Sequence, residues 1–364
     1  MKMRMIVSLI ALLFIAAPVW AMETEKHEQK ESKIHFHGYG EIHYNNPTGS
    51  SLPDNTASST LDAHRLVWGL SYTFDDRWSV HTEIDFEHAA TELELEFAYL
   101  EYRSHSSVGF RIGSLLMPVG PLNEYHEPPL FYSVERPYVQ RVIIPTSWSE
   151  AGLGLFGETE SGFKYRLYLV QGLNAASFDK NGIRKGRQIL NGKGNADKFG
   201  GVGRVEYTGV PGLAVGASYY NSASAGVKDV SVSLWDIDLR YKIAGFDITL
   251  LSAQSKINGA ENISSTQKVG SEQAGQYGEI AYHLNRIGSR IPDIVPFYRV
   301  EQFNTHETVP TGVTVDTALD QEVVTYGLAY YPNPDIAIKV DREDWSDKAG
   351  KTGDRTNVGV AFMF

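Results

Sequence analysis

Apolar residues recur at every second position along most of this chain, in strand-length stretches broken by polar, glycine- or proline-containing segments. A strand points successive side chains to opposite faces, so this period marks sheet whose two faces differ. It predicts strands near 35–45, 61–73, 77–88, 91–103, 108–117, 150–158, 162–172, 198–208, 212–220, 231–242, 245–256, 275–284, 294–304, 322–331, 335–345 and 355–364. The breaks alternate in length. After even-numbered strands they are short: Asp75-Asp76, Ser104 to Ser107, Glu160-Ser161, Gly209-Val210-Pro211, Ala244 and Pro332-Asn333-Pro334. After odd-numbered strands they are long: 46–60, 118–149, 173–197, 257–274 and 305–321. Two breaks depart from the rule, His88 to Thr91 being short for the long side and Asn285 to Asp293 long for the short side.

The two faces have opposite chemistry. One carries Leu66, Trp68, Leu70 and Tyr72; Leu93, Leu95, Phe97 and Tyr99; Phe163, Tyr165, Leu167 and Leu169; and Val358, Val360, Phe362 and Phe364. The other carries charge: Arg65, Glu83, Asp85, Glu87, Glu92, Glu94, Glu96, Lys164, Arg166, Arg204, Glu206, Asp236, Asp238, Arg240, Glu279, Arg299, Glu301, Lys339 and Asp341. Lys or Arg facing lipid near the midplane would cost roughly 2–4 kcal/mol, so the charged face must meet water. A bilayer accepts only helices or closed sheets, because every backbone polar group needs a partner inside the protein. The expected fold is all-β, a transmembrane antiparallel β-barrel of about 16 strands. Long loops then lie on the extracellular side, and both termini with the short turns in the periplasm. The terminal Val358-Gly359-Val360-Ala361-Phe362-Met363-Phe364 resembles the C-terminal strand signature of bacterial outer-membrane barrels.

Composition changes the picture in three ways. Residues 1–21 read as a secretory signal, with Lys2 and Arg4 ahead of an apolar run from Ile6 to Ala17 and a Val19-Trp20-Ala21 cleavage site. That run is too short to span the roughly 30 Å of hydrocarbon as a helix. Residues 22–34 follow as a short disordered periplasmic lead, and 35–364 as the barrel. There is no cysteine, which excludes a disulfide framework and thiolate metal sites. A net charge of −11 makes nucleic acid an unsuitable partner. The mean hydropathy of −0.26 looks soluble, but inward polar residues dilute the average of any barrel.

The segment 118–149 is the longest break and carries six prolines among aromatic and charged residues. A loop of this length in a compact fold is usually functional or disordered, and the prolines and aromatics favour order. Its place after the fifth strand suggests a loop folded into the lumen as a constriction. The run Arg111-Ile112-Gly113, Met117-Pro118-Val119-Gly120, Asn123-Glu124-Tyr125-His126-Glu127-Pro128-Pro129, Val134-Glu135-Arg136-Pro137, Ile143-Ile144-Pro145 and Trp148-Ser149-Glu150-Ala151-Gly152 resembles bacterial porin-like proteins related to the phosphate-selective porin O/P superfamily. The match is close over 105–160. It implies a trimeric sixteen-stranded channel, but not phosphate selectivity, since inward acids outnumber the inward bases.

Candidate pore-lining and constriction residues are Arg65, Glu83, Asp85, Glu92, Glu94, Glu96, Arg111, Glu124, His126, Glu127, Arg136, Arg141, Arg166 and Arg204. Six carboxylates, Glu83, Asp85, Glu87, Glu92, Glu94 and Glu96, share one wall. They read as a solvated lumen wall or, more sharply, as a cation strip facing Arg111, Arg166 and Arg204 across the pore. His35, His37, Glu41 and His43 share one face of the first strand. Imidazoles at that spacing can bind transition metals, but the polar-lumen reading is the simpler one, and no metal or cofactor is expected. The basic stretch 173–197 reads as a mobile solvated loop, or one that collects anions or lipopolysaccharide phosphates. Gly152-Leu153-Gly154-Leu155-Phe156-Gly157 has the dinucleotide spacing, but it lies within a strand and leads to no helix. The expected function is passive diffusion of small hydrophilic or ionic solutes by a homotrimer in outer-membrane lipid. An adhesin or receptor, or a hydrolase built around His126 with Glu124 and Glu127, is the alternative.

Overall fold

The computed structural model describes residues 33–49, 58–188, 193–288 and 290–364; the expected signal, and the lead as far as residue 32, lie outside the described residues. Among the described residues sixteen strands form one closed barrel: β1 (Ile34–Gly49), β2 (Thr60–Thr73), β3 (Trp78–Glu87), β4 (Glu92–His105), β5 (Val108–Leu116), β6 (Ser149–Glu158), β7 (Phe163–Gln171), β8 (Phe199–Tyr207), β9 (Leu213–Ala223), β10 (Ser231–Ile243), β11 (Phe246–Asn258), β12 (Glu272–Tyr282), β13 (Asp293–Thr308), β14 (Asp320–Asn333), β15 (Ile336–Asp347) and β16 (Thr352–Met363). Each neighbour pairs antiparallel with the next. The cylinder closes where β1 meets β16, from Tyr39 opposite Met363 to Gly49 opposite Gly353. Closure leaves no strand edge unpaired. Every strand expected from the alternation is present, with ends displaced by a few residues.

The outer face is apolar, with Trp68, Leu70, Leu93, Leu95, Leu167, Leu169, Val358 and Val360 all exposed. Phe97 and Tyr99 depart from the expected outward set. In β4, Glu83 lies opposite Phe97 but Ile84 opposite Leu95, so Glu96 is an extra residue. Such a bulge reverses the phase of everything beyond it. Phe97 therefore turns inward and is 8% exposed. Tyr99 stacks on His81 at 5.1 Å and lies under the Arg111 guanidinium at 4.9 Å.

The interior is not uniformly polar. Residues 117–148, between β5 and β6, bring Met117, Val119, Tyr138, Val139, Ile143, Ile144 and Trp148 to complete burial. These pack on inward residues of the wall, including Tyr220, Leu234, Leu251, Tyr277, Phe303, Val323 and Trp345. Gly275 makes room for them: a Cβ there would stand 3.0 Å from Ile143. The stretch between β7 and β8 joins the same cluster through Leu173, Ala175, Phe178 and Ile183. The expectation of a solvated loop at 173–197 is thus corrected. Leu173, Ala175, Phe178 and Ile183 are buried and Arg187 donates to the carbonyl of Ser147; Lys185 stays exposed and pairs with Asp179 at 2.7 Å, and 193–198 is exposed as expected.

Candidate pore and its lining

Inward positions of β1 to β4 place carboxylates around one guanidinium. Arg65 stands 3.0 Å from Glu41, 3.7 Å from Asp85 and 3.5 Å from Glu87. The 117–148 connection adds His126 to this wall. Its Nε2 lies 2.8 Å from Glu96 Oε1 and 2.8 Å from the Tyr39 hydroxyl, which itself donates to Glu96 Oε2 at 2.8 Å. Its Nδ1 donates to the Asn123 carbonyl at 3.0 Å. Burial alone would push the His126 imidazole down, but the Glu96 carboxylate beside it wins and the pKa is raised. Glu135 is held well below the usual carboxylate range: burial opposes this, but Arg355 and His43 outweigh it.

Asn123 was not foreseen as a site residue, and it organises the whole connection. Its side-chain amide donates to the carbonyls of Met117 at 2.7 Å and Trp148 at 2.8 Å, and its carbonyl oxygen accepts from Trp148 N at 2.7 Å. One buried amide therefore ties the two ends of the segment together. Acids of the opposite wall hold its middle. Asp236 accepts from Gly120 N at 3.1 Å, Asp341 from Val134 N at 2.6 Å, and Glu301 from Val139 N at 3.1 Å. The Tyr138 hydroxyl donates to Glu343, and Lys339 donates to the carbonyls of Pro128 at 2.6 Å and Ser133 at 2.9 Å. Inward charge was legible in the sequence; that much of it is spent on docking this segment was not.

The arginines expected to face the acidic strip each have an acid of their own. Arg111 pairs with Glu101 at 2.8 Å, Arg166 with Glu124 at 2.9 Å, and Arg204 with Asp238 at 2.7 Å. Burial pushes the Glu124 carboxyl up against the pull of Arg166. The charge of Arg111, Arg166 and Arg204 is thus met locally, by Glu101, Glu124 and Asp238 rather than by the six carboxylates of the strip. Of the remaining candidates, Glu83 and Asp85 are buried, Glu94 is half-buried and Glu92 is exposed at the rim. Arg136 donates to the His126 carbonyl at 3.2 Å and to Ser147 at 2.9 Å, and Arg141 lies 3.9 Å from Glu135. Glu127 lines the cavity beside His126.

Two cavities remain open beside the docked segment. One, of about 330 Å³, is lined by Glu83, Tyr99, Arg111, Glu124, His126 and Arg166 among others. The second, of about 410 Å³, is lined by Tyr132, Glu206, Arg240, Asp247 and Glu279 among others. Tyr125 and Lys164 border both. His35 and His37 stack on each other and His37 contacts Glu83 at 3.0 Å; among the described residues neither joins a group of three with metal-ligand spacing.

No protein-family model matches the chain. An uncharacterized protein of Aquifex aeolicus (strain VF5) is 33% identical over an alignment 361 positions long that covers 92% of this chain and 81% of that one. Solved structures with the same fold include the anion-selective porin from Comamonas acidovorans (TM-score 0.62, 10% identity, 91% of this chain and 99% of that one). The outer membrane channel DcaP of Acinetobacter baumannii matches with a TM-score of 0.62 at 11% identity, over 91% and 97% of the two chains. Salmonella typhi OmpF, solved with daunomycin, matches with a TM-score of 0.61 at 12% identity, again over 91% and 97%. Likeness at this identity establishes the shared sixteen-strand architecture.

Proposed function

The chain belongs to the family of the Aquifex aeolicus protein, and from its fold and lumen we propose that it is an outer-membrane porin passing small hydrophilic or ionic solutes. The observation that carries this reading is a sealed cylinder with an apolar outside and charged cavities inside. Such a wall is stable in lipid, and its interior is stable only in water. The signal segment would be removed on export, both termini would stand in the periplasm, and the assembly would be a homotrimer surrounded by lipid and lipopolysaccharide. Kinship with the phosphate-selective porin superfamily, supported by the 105–160 run, fits the architecture. The pairing of Arg111, Arg166 and Arg204 with their own acids argues against a free arginine ladder for phosphate. A hydrolase built on His126 with Glu124 and Glu127 is disfavoured, because His126 is buried against Glu96 and Tyr39 while Glu124 pairs with Arg166.

Liposome swelling tests the proposal. Vesicles carrying the folded protein should swell in isotonic solutions of small neutral sugars and resist larger ones. Equal impermeability to all sugars would count against diffusion of solutes through the lumen.

A further inference from the structure

At the long-loop rim, outside the lining of the two lumen cavities, three metal-ligating side chains converge. Asp62 Oδ2 lies 3.0 Å from His64 Nδ1 and 2.8 Å from His88 Nδ1, and the three donor atoms are all within 4.8 Å of one another. We propose that Asp62, His64 and His88 form a binding site for a divalent transition cation of the zinc or nickel class. Imidazole and carboxylate donors at about 2.0–2.2 Å suit such ions, and a tetrahedral centre sets its donors about 3.3 Å apart. The two separations from Asp62 need adjust by only a few tenths of an ångström, and the two imidazole nitrogens, within 4.8 Å of each other, close the rest by rotation of the exposed His88 side chain.

The local fold brings the donors together in two ways. Glu41 pairs with Arg65 but His43 with Asp62, so Ala63 and His64 together oppose Ile42 in a bulge of β2. The bulge leaves Asp62, His64 and Arg65 on the lumen side. His64 is steadied by His43, whose ring stacks on it at 4.5 Å while its own Nε2 is engaged by Glu41 at 2.9 Å. Without an ion both Nδ1 atoms donate to Asp62, and Arg65 Nη2, 3.4 Å from His64 Nε2, favours the same tautomer, so a bound ion takes its place by displacing these protons. His88 comes from the β3–β4 turn, where His88, Ala89 and Ala90 all have positive φ, at 49°, 55° and 65°. Three successive residues with a Cβ in that region are disfavoured, and the turn is pinned to the bulge by His88 N to His64 O and Ala89 N to Ala63 O, both 3.0 Å. This is the break that was too short for the long side: it serves to aim His88. His88 is exposed, so an ion has an entry path and the remaining coordination positions are open to water.

The site does not depend on what the barrel conducts, and a binding measurement separates the two readings. Tag-free full-length protein folded in detergent is titrated with Zn²⁺ by isothermal calorimetry. One ion should bind per chain, and H88N, an exposed turn substitution, should weaken it roughly 100-fold or more, since even loss of an outer-shell partner costs about 10–100-fold. D62N should behave alike, with the β-sheet circular dichroism of both variants unchanged. Absence of saturable binding, or unaltered binding by H88N, would overturn the assignment. So would binding that survives H88N but vanishes in H126N, which would place the ion at the buried Glu83, Glu96 and His126 cluster.

Discussion

Asn123 spans the base of the 117–148 segment, and its three hydrogen bonds are all to buried backbone groups. In N123A the Trp148 amide loses its partner, at roughly 1–3 kcal/mol for a buried group left unsatisfied, while the Met117 and Trp148 carbonyls keep Val119 N and Met117 N. Hydrogen exchange across 117–148 should accelerate while strand amides keep their protection; an unchanged pattern would show that the wall acids alone hold the segment. The sequence marked Glu124, His126 and Glu127 around this residue because charge and imidazole advertise chemistry. An asparagine amid prolines advertises only a turn, and what distinguishes this one is the meeting of two carbonyls 31 residues apart in sequence, 117 and 148. Charged partners were hidden for a like reason. Arg111 pairs with Glu101 through the β4–β5 register and Arg204 with Asp238 across β9, and neither register is written in the local pattern.

Strand β4 shows where period-two reading holds and where it fails. Leu93 and Leu95 face outward as the alternation requires, and the extra Glu96 reverses Phe97 and Tyr99. Nothing in Glu92-Leu93-Glu94-Leu95-Glu96-Phe97-Ala98-Tyr99 marks the break, because an apolar residue follows on schedule. The native chain has no cysteine, so single cysteines report each face cleanly. A hydrophilic, membrane-impermeant maleimide should label Y99C, which lines the cavity, and spare L95C in proteoliposomes. Like labelling of the two, both modified or both spared, would restore an unbroken strand. The β3–β4 turn and the β2 bulge belong to the same scale: two local irregularities that together place His64 and His88 beside Asp62.

At the scale of the molecule, the barrel was readable almost entirely from alternation and from the rhythm of long and short connections. Both arise from one constraint, that a closed sheet in lipid must be apolar outside and hydrogen-bonded throughout. The filled half of the lumen was not readable. Inward Leu234, Leu251, Tyr277 and Phe303 look the same in sequence as outward leucines and aromatics, and only the apolar side of 117–148 explains them. Tyr125 and Lys164 border both cavities left beside this packing. Recording from single molecules in a planar bilayer bathed in KCl tests the central claim most directly. Discrete, ohmic conductance steps are expected on insertion of the folded form. Insertion of that form without any steps would contradict a water-filled path through the barrel.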